Sequence, residues 1–326
     1  MPIRRKLLLA AAAFTAAALM PHAALAQAYP TKPVTVVVPY AAGGATDLLA
    51  RVVSKALERY SGQPFVVENA GGAGATLGTS KVAAAAPDGY TLLLGGSSAL
   101  VMAPHLFKNL KYDPFTSFEP IAKIASAPYV LVTRADSPLK TYAQLVDHAR
   151  KNPGKMNYGS PGEGSALHLT IELMKDGAKI DGTHIPFRGS SFAWTALLGG
   201  DVDYIIDTPS GAMPMIKGNK AQPLAVTSLQ RVGELPDVPT LDELGLKGFE
   251  SQAWFAMLAP KGTPAAAVSK LEGWIAQALR DPDVIETLKK AQFTPAGRVE
   301  GGLAGEVRRE YDKWGAIIKA RNIQLK

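Results

Sequence analysis

Short aliphatic and β-branched runs alternate with amphipathic helical patterns along most of this chain, and that alternation constrains its fold more than any other feature. Parallel strands need a crossover between them, so strand–helix–strand spacing predicts βαβ units and mainly parallel sheets. Residues 34–38 read as the first buried strand. The loop 39–46 follows, then a helix over 47–60 that turns Leu48, Val52, Ala56 and Leu57 toward a sheet. Strands over 65–68 and 91–94 continue the set, with Gly71-Gly72-Ala73-Gly74 between them. A second set begins near residue 128. It has strands over 129–132, 184–187, 202–206 and 224–227, and helices over 141–151, 165–174 and 192–198. A strand-like segment over 249–259 leads to two closing helices, 265–280 and 305–321. The order predicts an α/β protein of two lobes, 27–127 with 250–326 and 128–249. The chain is expected to cross between them near 125–130 and 248–254.

Ahead of the first strand, Arg4, Arg5 and Lys6 precede an apolar run over 7–20, and Ala24-Leu25-Ala26 reads as a small-residue cleavage site. Residues 1–26 are therefore expected to be an export signal cleaved near Ala26, which makes the mature chain periplasmic. The apolar run is shorter than the ~20 residues of a membrane span, and Pro21-His22 ends it. The paired arginines allow a twin-arginine route. Removing this leader lowers the formal charge by three, from +7 to +4. The remaining excess is scattered, with no basic cluster interleaved with aromatics, so no nucleic-acid partner is expected. The chain has no cysteine, which excludes disulfides, thiolate metal sites and cysteine nucleophiles.

Two strand-to-helix loops carry the chemistry. Pro39-Tyr40-Ala41-Ala42-Gly43-Gly44-Ala45-Thr46 leaves the first strand, and Gly159-Ser160-Pro161-Gly162-Glu163-Gly164-Ser165 holds the matching place in the second set. In open α/β sheets ligands bind at the carboxyl ends of strands. Glycine lets the backbone approach a ligand, and the N–H groups of a helix start attract anions. Thr46, Ser160 and Ser165 add hydroxyl donors, so two such loops facing one cleft suit carboxylate oxygens. The plainer alternative is that Thr46, Asp47 and Ser165 are helix caps. His168, in the first turn after the second loop, either packs on that loop or touches a ligand.

Other chemistries lack their motifs. Leu77 stands where a dinucleotide fingerprint needs a glycine after Gly72-Ala73-Gly74, and Gly95-Gly96-Ser97-Ser98 continues with Ala99 rather than completing a hydrolase elbow. His22, His105, His148, His168 and His184 show no metal-ligand spacing, so neither a metal nor a cofactor is expected. Trp194, Trp254, Trp274 and Trp314 suit core or hinge packing better than a stacking platform.

From Tyr29-Pro30-Thr31-Lys32-Pro33 onward, a series of motifs resembles one family. They include Gly43-Gly44-Ala45-Thr46-Asp47 with Ala50-Arg51, Val67-Glu68-Asn69, and Ala86-Pro87-Asp88-Gly89-Tyr90-Thr91-Leu92. Tyr158-Gly159-Ser160, Gly164-Ser165 with His168-Leu169, Leu235-Pro236-Asp237-Val238-Pro239-Thr240 and Ala259-Pro260-Lys261-Gly262-Thr263-Pro264 follow in order. Together they resemble the substrate-binding receptors of tripartite tricarboxylate transporters, often called Bug-type receptors. The resemblance implies a two-lobed periplasmic binding protein of type II. Such a receptor is monomeric, binds a small-molecule carboxylate, performs no chemistry on it and delivers it to transporter membrane subunits. It also implies a first wall of Tyr40, Ala41, Ala42, Gly43, Thr46 and Asp47, and a second of Ser160, Gly164, Ser165 and His168. Ser97, Ser98 and Asp207 are further ligand-binding candidates, with Arg188 as a countercharge.

This chain departs from the family pattern where Ala41 and Ala42 replace prolines and where Phe192 replaces a proline after the Pro186-Phe187-Arg188-Gly189 turn. Ala196 replaces a common acid. Phe192 and Trp194 would widen an apolar site for an aromatic acid, while Glu163 either points outward or meets a ligand amine. Two other function classes remain. One is an exported hydrolase using Ser160 or Ser165 with His168; the other is a receptor that presents a closed shape to a signalling partner.

Overall fold

The computed structural model describes residues 29–40, 42–187, 189–296, 302–320 and 323, and the expected export signal lies outside them. The chain forms two units, Met1–Thr31 and Lys32–Lys326, and the second carries every strand described. In chain order its first half comprises β1 (Val34–Val38), α1 (Ala45–Ser61), β2 (Phe65–Asn69), α2 (Thr76–Ala83), β3 (Thr91–Gly96), α3 (Ala103–Leu106) and β4 (Phe118–Pro128). Then come β5 (Val130–Arg134), α4 (Tyr142–Lys151), β6 (Asn157–Ser160), α5 (Ala166–Ala178), β7 (Thr183–Pro186) and α6 (Ser190–Gly199). Next are β8 (Tyr204–Asp207), α7 (Pro209–Lys217) and β9 (Ala221–Val226). The last part holds β10 (Gln252–Pro260), α8 (Ala265–Ala278), α9 (Pro282–Lys290), β11 (Thr294–Pro295) and α10 (Gly302–Ala320). Among the described residues no helix is long and apolar enough to cross a membrane.

These strands make two sheets, in the orders β11-β4-β10-β3-β1-β2 and β7-β6-β8-β5-β9. Leaving aside the two-residue edge strand β11, both follow one plan. Three parallel strands stand beside a fourth that runs antiparallel, and a fifth lies beyond it. The antiparallel strand is β10 in the first sheet and β5 in the second, and in each case the strand before it in the chain belongs to the other sheet. Its direction is therefore fixed by the crossing rather than by a helical crossover. The expected mainly parallel sheets are in fact mixed, for this reason.

The interior follows from side-chain periodicity. Val36, Val37, Val38, Leu92, Leu93 and Leu94 have no exposed surface, as strands covered on both faces require. Helix α1 buries Leu49, Ala50, Val53, Ala56 and Leu57, each large aliphatic contributing roughly 1.5–3 kcal/mol. Leu48 was expected on that face but is 45% exposed, because the buried stripe is one residue out of phase with it. Helices α8 and α10 pack back onto elements of the first sheet.

Several elements were not legible in the sequence. Strand β4 carries Pro120 together with Glu119 and Lys123, and two register shifts against β10 blur its alternation. The helix expected over 265–280 stops at Ala278. Asp281 then caps α9 by accepting the Asp283 N–H at 2.9 Å. Helix α7 contains Pro214, which removes an internal donor and masked the helix.

Both crossings meet at one side chain. The chain passes between the sheets at Tyr129 and again after Val226, and Thr227 and Ser251 sit beside Tyr129. Thr227 Oγ1 accepts the Tyr129 N–H at 2.8 Å and donates to the Ser251 carbonyl at 2.5 Å. Two backbone bonds reinforce it, Thr227 N–H to Tyr129 O and Ser251 N–H to Thr227 O, each 3.0 Å. Ser251 Oγ also shares a 2.6 Å hydrogen bond with Thr170 Oγ1 of α5. Thr227 has no exposed surface, so losing its hydroxyl leaves buried partners without water. Thr227→Val keeps the shape and removes the hydroxyl. It is expected to lower unfolding free energy by about 1–3 kcal/mol in a denaturant titration, whereas an unchanged midpoint would show that the hydroxyl contributes nothing.

Candidate ligand-binding site

The carboxyl ends of β1, β2, β3 and β6 deliver loops onto one cavity of about 490 Å³. On the first-sheet side it is walled by Pro39 and Tyr40 after β1, by Gly72–Ala75 after β2, and by Ser98 after β3. Ala103 and Phe107 complete that side. The opposite wall is the single loop from Pro161 to Ser165. Burial raises the Tyr40 phenol above its ordinary value, against a smaller opposing effect of the Ser98 hydroxyl, so it stays a donor at neutral pH. Helix α5 opens at Ala166 directly behind the second wall, with its N-terminal dipole toward the cavity.

Of the expected residues, the structure brings Tyr40, Ser98, Gly164 and Ser165 together on this cavity. Ala41 and Arg188 lie outside the described residues, so the proposed countercharge has no described position. Ala42 and Gly43 are exposed and outside the lining, and Thr46 and Ser97 are buried and outside it too. Phe192 is 59% exposed and Trp194 is buried away from the cavity, so neither widens it.

The acids expected at the ligand are committed to the scaffold. Asp47 Oδ2 accepts the Gly43 N–H at 2.9 Å, and the two Asp47 oxygens accept from Arg51 Nε and Nη2, each at 3.0 Å. Asn69 Nδ2 adds a 3.0 Å bond to Oδ1 and a 3.2 Å bond to the Tyr40 carbonyl. Asp47 thus locks the first loop, with Gly43 at a φ of 83° that glycine tolerates. Asp207 has the same kind of role. Trp194 Nε1 donates to its Oδ2 at 2.6 Å, while the Thr208 N–H and Ser190 Oγ donate to Oδ1 at 2.7 and 3.3 Å. Its carboxylate joins the starts of α6 and α7 so closely that a Cβ on Gly211 would lie 2.5 Å from Oδ2. Burial pushes the Asp207 carboxyl up, against the pull of those donors.

The second wall is held from beneath. Ser165 caps α5 by accepting the His168 N–H at 3.2 Å, as the plainer alternative had it. His168 is buried behind the loop, and its Nδ1 accepts the Gly164 N–H at 3.1 Å. Ser160 has no exposed surface. Its Oγ lies 3.0 Å from the Gly162 carbonyl, accepts the Gly162 N–H at 3.2 Å, and sits 2.7 Å from His184 Nε2. Glu163 is exposed on the cavity border, where solvent screens its charge.

Two features of the site were missed. The Gly72–Ala75 segment is a third glycine-rich strand-to-helix loop, and that repetition was the available signal. Within it Ala73 and Ala75 hold left-handed φ values of 46° and 77°, a strain of order 1 kcal/mol each that the wall must offset. His184 gave no signal, because its partner Ser160 is brought to it only by the pairing of β6 with β7. Among the described residues no group of three or more His, Asp or Glu side chains is placed to hold a metal ion.

The Asp47 clamp carries a pH dependence. Its bonds to Arg51 above all, with those from Gly43 and Asn69, hold the carboxyl at about 2. A depressed acid stabilises the fold fully above its unfolded value of ~3.9, and that stabilisation is lost as pH falls toward 2. Asp47→Asn is expected to cost about 1–3 kcal/mol at pH 6 by denaturant titration, with the difference from wild type vanishing near pH 2. A difference independent of pH would contradict the clamp.

The profile of the tripartite tricarboxylate transporter family receptor, TctC, matches residues 49–323. A Pseudomonas sp. (strain P51) protein, the UPF0065 protein in the tcbD-tcbE intergenic region, is 39% identical over 89% of this chain and 87% of its own length. Rpa4515 of R. palustris, solved with adipate, superimposes with a TM-score of 0.83 at 32% identity, covering 91% of this chain and all of that one. MatC from Rhodopseudomonas palustris, solved with bound malate, gives 0.79 at 35% identity, covering 89% and 100%. The profile match and these similarities show the family: the chain is a two-lobed α/β protein that belongs to the TctC family of tripartite tricarboxylate transporter receptors.

Proposed function

We propose that this chain is an extracytoplasmic receptor that captures a small organic carboxylate between its two lobes and hands it to the membrane subunits of a tripartite transporter. The observation that carries the reading is the cavity itself, where the Tyr40 and Ser98 hydroxyls face the Gly162–Ser165 turn and the start of α5. That pairing offers neutral donors from both sides to the oxygens of an anion. The malate and adipate held by MatC and Rpa4515 support an aliphatic acid as the ligand class.

The lobes in this reading are 27–127 with 250–326 and 128–249. The mature, periplasmic chain begins near Gln27 and acts as a monomer. A ligand that touches both walls makes its full set of contacts only when they approach, which is how binding would drive closure about Tyr129 and Thr227. No turnover is proposed. A Ser–His contact does form, between Ser160 and His184, but Ser160 is wholly buried and tied to Gly162, so its hydroxyl is shielded from a substrate carbonyl. Ser165 spends its oxygen as a helix cap, and His168 faces Gly164 rather than Ser165.

The test is calorimetric titration of the mature chain, refolded to strip any carried ligand, with malate, adipate and a panel of mono- and tricarboxylates. One class is expected to bind and, at 100 times its dissociation constant, to add about 2.7 kcal/mol of stability. Tyr40→Phe and Ser98→Ala should each weaken binding about tenfold, the worth of one hydrogen bond. Absence of binding by any acid would refute the carboxylate reading.

A further inference from the structure

We infer that His168 and His184 are positioning residues for the second wall. They form a face-to-face imidazole pair in which His168 carries its proton on Nε2, leaving Nδ1 to hold the Gly164 N–H. The inference rests on the reading of the 160–165 turn as a ligand wall, and neither ring borders the cavity.

The geometry fixes the tautomer. A backbone N–H is only a donor, so the 3.1 Å contact from Gly164 N requires an unprotonated Nδ1 on His168. The backbone N–H of His168 is already given to Ser165 Oγ, so the residue grips the turn at two adjacent positions, Gly164 and Ser165. The second ring lies flat against the first, with centroids 3.8 Å apart and planes 8° from parallel. From there His184 Nε2 reaches Ser160 Oγ at 2.7 Å, and that oxygen in turn receives the Gly162 N–H. Two of the turn's amides, those of Gly162 and Gly164, are thus oriented by one stacked pair.

The surroundings keep the pair neutral. Tyr158 of β6 lies 5.0 Å from His184 and 6.2 Å from His168, and Tyr204 of β8 lies 5.7 Å from Tyr158. The charged groups nearby are Glu172 and Lys175 of α5, Asp181 beyond it, and Glu163 on the turn. Glu172 is taken up by the Tyr158 hydroxyl and by Lys175 Nζ at 2.6 Å. Lys175 also donates to the Gly182 carbonyl at 3.0 Å and lies 3.7 Å from Asp181. Burial, then the facing His168 ring and Lys175, depress His184 to about 3. Burial depresses His168 as well, against the opposing pull of Glu172 and Glu163. A proton added to His168 would land on Nδ1 and set donor against donor at Gly164, so charging the pair releases the turn. The sign follows: the grip is intact at neutral pH and is lost as the medium becomes strongly acidic.

Long-range ¹H–¹⁵N spectra of the full mature chain, labelled at histidine and recorded without ligand from pH 8 to pH 4, test this directly. His168 is expected as the Nε2–H tautomer, with both rings uncharged at pH 6.5, where a free imidazole is half protonated. A proton on His168 Nδ1, or either ring titrating near 6.5, would overturn the inference. Hydrogen exchange at the Gly164 amide supplies a second readout. His168→Leu should speed it about tenfold, while His168→Asn, which keeps an acceptor near the Nδ1 position, should hold it within about threefold of wild type. Equal exchange in both variants would also overturn it. If the leucine variant does not fold, the wild-type tautomer decides alone. Because no ligand is involved, failure here leaves the carboxylate titration standing, and failure of that titration leaves these spectra unaffected.

Discussion

Thr227 is the point on which the rest of the structure turns. A chain that builds two sheets by leaving the first, completing the second and returning must pass twice through one narrow neck. The Thr227 hydroxyl bonds both passages at once. The crossing also sets the sheet plan. A strand entering from the other lobe runs against its neighbours, which gives each sheet its antiparallel member, β5 or β10. The three parallel strands of each sheet then point their carboxyl ends toward a common edge, and the glycine-rich loops collect there.

Around the cavity the polar side chains divide by task. Asp47, Asp207, Ser160, His168 and His184 spend their hydrogen-bonding capacity on the loops themselves. What remains for a ligand is a small set of neutral donors: Tyr40, Ser98, the Ser165 hydroxyl and the first backbone N–H groups of α5. Neutral preorganised donors suit a receptor that must also let go. They hold an anion without the desolvation cost of a buried ion pair, and their positions are fixed before the ligand arrives. The left-handed Ala73 and Ala75 fit this picture, since strain in a wall persists only where surrounding structure over-determines it.

Much of this could be read from the sequence. The strand runs at 34–38, 65–68 and 91–94 carry enough aliphatic residues to declare themselves, and the paired glycine loops marked both walls. Strand β4 could not be read, because Pro120 and its flanking charges hide an alternation that only pairing with β10 enforces. Nor could the stripe of α1, where adjacent leucines leave the phase ambiguous by one residue until Leu49 meets the sheet and Leu48 does not. For the site, residue type located the loops but could not assign roles. An aspartate such as Asp47 reads the same whether it meets a ligand or an Arg51 four residues on. The His168–His184 stack is set by tertiary packing between α5 and β7, which leaves no local trace in either segment.

On the proposed function, one acid is gripped by both walls of a single cavity. A crystal structure of the mature chain grown with its best-binding carboxylate tests that most directly. A carboxylate group is expected between the Tyr40 and Ser98 hydroxyls and the Gly162–Ser165 turn at the start of α5. An acid bound instead in the larger cavity of about 600 Å³, lined by Ser228–Glu234 and Lys289 beside the neck, would contradict it.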